Sequence, residues 1–244
     1  MKTLTLAAAV LGAATLLTGC GGDDDSGNGG GSKSSSSFTD QSGAEIAEAA
    51  KDAMAGLESV RVSGSISSDG EEIALDLAVS TAGECAGSVS VGGASAELLG
   101  ADGTAWFKPS DEFWLAQGGE QAQTIIDLVA GRWVVMPAGD EGFGEFCDLD
   151  SLLEELVDND EENTYEKGDV SEIDGTEAIA ITNTDGEDGP SVGHVQVEGD
   201  HYLLKMERTE GDDQGAITFS DFDAEVPVEA PAAEDTVDLD ELGS

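Results

Sequence analysis

Basic residues are what this chain most conspicuously lacks. Nine Lys and Arg stand against 53 Asp and Glu, a formal net charge of −44. Phosphate backbones are repelled by such a surface, so nucleic acid is not expected as a partner. No basic amphipathic face exists that would lie flat on an anionic bilayer. The acidity is read as solubility and colloidal stability, with a cationic partner as the alternative. Histidine is limited to His194 and His201, and there are three cysteines, Cys20, Cys85 and Cys147. A structural zinc site needs more clustered ligands than these supply, and no metal is expected. Phosphate-cradling Gly-Lys-Ser/Thr and dinucleotide-binding patterns are absent, and no cofactor is expected. Residues 189–193 spell G-x-S-x-G, but a nucleophile elbow needs a strand before it and a helix after it. Here an acidic stretch precedes and a strand-like run follows. No catalytic residue is therefore assigned, and the chain is read as a non-enzyme. The two histidines are read as sheet or surface residues. Acid-rich 158–163, 185–188 and 210–213 are read as solvated turns, with weak calcium binding as the alternative.

A long hydrophobic run is also missing. The longest, 4–17, is too short for an ordinary transmembrane helix. It follows Lys2 and ends in Leu17-Thr18-Gly19-Cys20. A charged start, a short apolar core and a small-residue exit are the parts of a secretory signal, here 1–19. The exit looks like a bacterial lipobox, in which Cys20 receives a diacylglycerol thioether and becomes the first mature residue; a plain signal peptide is the alternative. Two acyl chains give stable anchoring where one is marginal. The expected location is the extracytoplasmic face of the cell membrane. Residues 20–37 are then the lipidated Cys and a Gly/Ser/Asp tether that has nothing to bury. With Cys20 consumed, Cys85 and Cys147 are an even pair in an exported domain, which implies a disulfide. Two buried thiols are the alternative.

Roughly 190 residues remain, enough for one domain with a real core. Ser42-Gly43-Ala44-Glu45 fits a capping box. Ile46, Ala50, Ala53, Met54 and Leu57 then recur at helical spacing, predicting a helix that ends near Glu58. From Val60 the period changes to two. Strands are expected around Val60–Ile66, Ile73–Val79, 85–91, 94–99 and 104–108, joined by short Gly-containing turns and paired antiparallel. One face of this meander is apolar and needs cover. A helical insert follows: a helix opened by Ser110-Asp111-Glu112, a second at 120–130, a brief extended piece at 132–136, and a helix at 148–157 lined by Leu149, Leu152, Leu153 and Leu156. Five further strands are expected at 165–173, 177–182, 192–198, 202–208 and 216–222, with Gly199-Asp200 as the clearest hairpin. Pro227 and Pro231 disfavour regular structure beyond Ala224, and 232–244 reads as a loose acidic tail.

Several pieces, in this order, carry a resemblance. They are the lipobox and tether, Val60-Arg61-Val62-Ser63-Gly64, and Ala96-Glu97-Leu98-Leu99 leading to Asp102-Gly103-Thr104-Ala105-Trp106-Phe107-Lys108. Gly131-Arg132-Trp133-Val134, Asp174-Gly175-Thr176-Glu177-Ala178 and Phe219-Ser220-Asp221-Phe222 follow. Over 38–231 the chain resembles the LppX/LprG-type cell-envelope lipoproteins of actinobacteria, relatives in fold of the periplasmic carrier LolA. The cysteine pair and the extreme acidity depart from that pattern. The resemblance implies an α+β fold: a strongly curved antiparallel half-barrel with helices on its concave face. It also implies an apolar cavity for a lipid or glycolipid that the protein carries or chaperones, in a monomer anchored through Cys20. The lining would come from Ile73, Leu75, Leu77, Val79, Leu98 and Phe107 of the sheet. The insert would add Trp114, Ile125, Val129, Leu152 and Leu156. Ordinary core packing is the alternative for each of them, and a protein-interaction or envelope-sensing lipoprotein with a filled core is the alternative for the whole. Among the scarce bases, Arg61, Lys108, Arg132, Lys205 and Arg208 are candidates to meet a lipid phosphate, against the alternative of ion pairs with the surplus acids.

Overall fold

Ser42 sets the first helix. Its hydroxyl accepts the Glu45 N–H at 3.3 Å, and the Glu45 carboxylate accepts the Ser42 N–H at 2.9 Å. This reciprocal cap uses donors that the first turn would otherwise leave unpaired, and it holds the Glu45 carboxyl below its usual range. The helix α1 (Gly43–Ala55) stops three residues before the expected end because Gly56 caps it. Its inward face is Ile46, Ala50 and Met54, all buried.

The computed structural model describes residues 38–68, 70–136, 146–156, 163–185, 189–211 and 214–238. The expected signal, Cys20 and the tether lie outside the described residues. So do most of the acid-rich turns, the side chain of Leu156, and 239–244. After α1 come β1 (Ser59–Ser68), β2 (Glu71–Ser80), β3 (Cys85–Val91), β4 (Ala94–Ala101) and β5 (Thr104–Pro109). The insert holds α2 (Asp111–Gln117), a 3-10 turn at Gly119–Gln121, α3 (Ala122–Val129), β6 (Trp133–Met136) and α4 (Leu149–Leu156). Then follow β7 (Tyr165–Ile173), β8 (Thr176–Asn183), β9 (Ser191–Gln196), β10 (Leu203–Arg208), β11 (Gly215–Ser220) and β12 (Thr236–Val237).

All twelve strands form one sheet in the order β12-β6-β5-β4-β3-β2-β1-β11-β10-β9-β8-β7. It is a curved, open half-barrel with the helices on its concave side, as the resemblance implies. The two meanders meet where β1 pairs antiparallel with β11, Val62 opposite Phe219. Helix α1 packs on β7 to β10, α2 packs on β4 and β5, and α4 packs on α1. Phe38 stacks on His201 with centroids 3.7 Å apart, and Lys167 Nζ donates to the carbonyls of Thr39 and Gln41. The chain thus enters the fold beside β7 and the β9–β10 loop.

Two expectations differ from the structure. The Gly199-Asp200 turn is wider than a tight hairpin: β9 ends at Gln196, β10 starts at Leu203, and His201 takes a left-handed φ of 65°. The tail is also not loose throughout. A 3-10 turn at Ala233–Asp235 leads into β12, which lies parallel to β6 with Val237 opposite Val134. Among the described residues this is the one parallel pair, and it makes the sheet mixed. Val237 accounts for it: a lone apolar side chain among acids finds a buried site at the sheet edge, where it is 7% exposed.

The register aligns one row across the concave face: Phe219, Val62, Leu77, Gly87, Leu98, Phe107, Val134 and Val237. Every side chain in it is buried. Gly87 lies mid-row because β2 passes too close for a side chain: a Cβ there would lie 2.0 Å from the Asp76 carbonyl oxygen and 2.8 Å from the Leu77 Cα. Both are backbone atoms that cannot swing aside. Replacing Gly87→Ala is expected to destabilise the fold by about 1–3 kcal/mol, read as a lower urea midpoint at unchanged slope.

Candidate functional site

The site residues expected from the sequence fall into two packed groups. Leu75, Leu77, Val79, Leu98, Phe107 and Leu152 belong to one continuous core that also holds Ile46 and Met54 of α1. Val129 instead packs with Val134 and Val237 in a second, smaller cluster, against which Ile125 and Trp114 rest. Trp114 touches both groups. Ile73 is half-buried at the end of β2, opposite Ile66.

Local sequence explains how these side chains arrive. Alternation along β2 sends Leu75, Leu77 and Val79 to the covered face. Ser110 caps α2 through its hydroxyl, which accepts the Phe113 N–H at 3.2 Å, and so sets the helix phase. That phase brings Phe113 edge-on to Phe107, with centroids 5.2 Å apart, and Trp114 edge-on to the same ring at 6.4 Å. Edge-to-face aromatic pairs at such distances add stabilisation beyond area burial. Phe113 is an apolar residue of the expected helix that helical spacing alone does not single out. Leu77 and Val79 are fully buried, Val129 is 1% and Leu98 2% exposed, while Trp114 and Ile125 of the insert are only half-buried.

This arrangement, a curved sheet whose concave side is covered by the first helix and by an insert between the fifth and seventh strands, has a counterpart. The fold is that of LprF. LprF from Mycobacterium bovis superposes with a TM-score of 0.56 at 17% identity, over 78% of this chain and 96% of that one. Lipoprotein LppX from Mycobacterium tuberculosis aligns over 80% of this chain and 99% of that one at 15% identity, with a TM-score of 0.48. No protein-family model and no curated protein sequence matches the chain.

On this LprF-like frame a disulfide joins Cys85, the first residue of β3, to Cys147, just before α4, with Cα atoms 5.2 Å apart. The expected pairing is therefore present, and it ties the last insert helix to the sheet. The bases are already engaged. Arg61 meets Asp76 at 2.7 Å, and Lys108 sits 5.4 Å above the Trp133 ring. Arg132 donates to the carbonyls of Leu128 at 2.8 Å and Val129 at 3.1 Å. These carbonyls end α3, where a cation suits the negative helix end. Lys205 and His194 both bond Glu207 and hold its carboxyl below the usual range, the Lys205 hydrogen bond contributing most. Arg208 also has a protein partner. Ser191 of the G-x-S-x-G run opens strand β9, and no helix follows it, so the elbow geometry is not formed there.

The disulfide closes a loop of 62 residues. In the chain-entropy account, removing it by Cys85→Ser with Cys147→Ser lowers stability by about 4 kcal/mol. The check is a denaturant titration of the double variant beside the oxidised parent.

Proposed function

We propose that this chain is a lipoprotein, anchored through Cys20 on the extracytoplasmic face of the cell membrane, that holds a lipid or other acylated molecule between its sheet and helices and passes it on without chemistry. The observation that carries this reading is the uninterrupted apolar row under α2 and α4 in an LprF-like fold. The lipobox and tether add a reason for such a body to sit beside a membrane. Each buried methylene contributes about 0.8 kcal/mol, so one acyl chain supplies ample affinity with no polar recognition. The sheet-side residues are enclosed, so entry requires the insert to move. Its half-buried members, Trp114 and Ile125, are where an acyl chain would first make contact. The engaged bases fit a ligand recognised by its tails more than by its headgroup.

A second reading rests on the same burial. Leu77, Val79, Leu98 and Val129 are at most 2% exposed, which also suits a filled core and a protein-facing surface. Native mass spectrometry of the protein beginning after Cys20, made in a host of known lipids, separates the two. The carrier reading expects a bound mass in the phospholipid or glycolipid range, lost in Ile125→Trp while the melting temperature holds. A clean protein mass that takes up no added lipid sinks it and favours the filled core. For the anchor, Cys20→Ser is expected to move the chain from the membrane pellet to the soluble fraction and to abolish palmitate labelling. Unchanged sedimentation would refute lipidation at Cys20.

A further inference from the structure

The tail leaves the sheet at its middle and returns to it at its edge. At the middle, the Asp223 N–H donates to the Ser59 carbonyl at 2.9 Å, beside the start of β1. At the edge, Thr236 and Val237 pair with Trp133 and Val134 of β6. Between β1 and β6 lie β2, β3, β4 and β5, a span of about 24 Å at the usual strand spacing. The stretch 224–235 crosses it with Pro227 and Pro231, residues that cannot join a ladder. Val226 pins it partway at 6% exposure. The contacts at the far end are specific. Val237 closes the small cluster of Val129 and Val134, separate from the main core, on which Ile125 and Trp114 rest. Arg132, whose guanidinium caps α3, also reaches the Thr236 carbonyl at 3.4 Å. One side chain thus joins the end of α3 to β12.

We propose that residues 224–238 are a strap and β12 a latch: while β12 is docked, α3 is held against the sheet edge, and when β12 lifts, the α2–α3 part of the insert is released without unfolding the sheet. The chemistry favours a local event. The latch is built on the buried Val237, a short parallel pairing and the long Arg132 hydrogen bond, whereas the strands from β5 to β11 pair through longer antiparallel ladders. Regions with few buried contacts open at a fraction of the global free energy. Lifting β12 also bares the edge of β6, which the strap otherwise blocks. This mechanism does not depend on what the interior holds, so it stands or falls apart from the carrier reading.

Hydrogen exchange read by mass spectrometry tests it on two variants of the full chain, Val237→Asp and a truncation after Asp235. Loss of one buried Val shifts an opening equilibrium by roughly tenfold. Exchange across 122–136 is expected to rise by about that factor in both variants, while amides of β1 to β4 and β8 to β11 keep their protection. Unchanged exchange at 122–136 after truncation would overturn the latch. A rise spread evenly over the whole sheet would overturn it too, because Val237 would then belong to the global core.

Discussion

A sheet with one apolar face has to be covered, and that requirement shapes this molecule. The row from Phe219 through Leu77 and Phe107 to Val237 crosses eight strands without a polar interruption. No single helix is wide enough to shield it. The chain lays α2 on β4 and β5 and α1 on β7 to β10, and α4 bridges to α1. Gly87 lets neighbouring strands approach closely in mid-row, and the disulfide fixes the bridge. The ligand reading and the core-packing reading differ only in whether that cover ever lifts.

Much of this was legible because it is local. Runs bounded by turn residues located β3 and β7 to the residue, and the Ser42 capping box and Ser110 placed α1 and α2 within a few residues. The cysteine pair followed from counting alone. The rest depends on contacts distant in sequence. Nothing in β1 itself announces that its second neighbour is β11, because register between remote strands is set by matching faces that each strand shows only after assembly. β12 escaped because Thr236 and Val237 are two residues between acids, too short for any period. The expected lining set forms one group in the sequence; the structure divides it, since Val129 faces the sheet edge and Leu152 faces the core. The difference lies in which strand each helix meets, and helical spacing does not contain that.

The scarcity of bases has a structural counterpart. Arg132 and Lys167 both bind main-chain carbonyls, one at a helix end and one where the chain enters the fold. The few positive charges serve as fasteners, and most carboxylates remain facing water. Such a surface keeps copies apart through mutual repulsion.

The pairing of β1 with β11 reaches beyond the finished structure. β1 is made early and lies mid-sheet, yet one of its two neighbours is residues 215–220, almost the last part of the fold to be synthesised. The first meander can form earlier, but the sheet cannot close around its own centre until nearly the whole chain is available. Topologies dominated by such remote pairings fold slowly, in milliseconds to seconds. Until residues 215–220 have been made, the middle of the sheet stays an open edge, and a partly synthesised chain holds two separate meanders in place of one sheet.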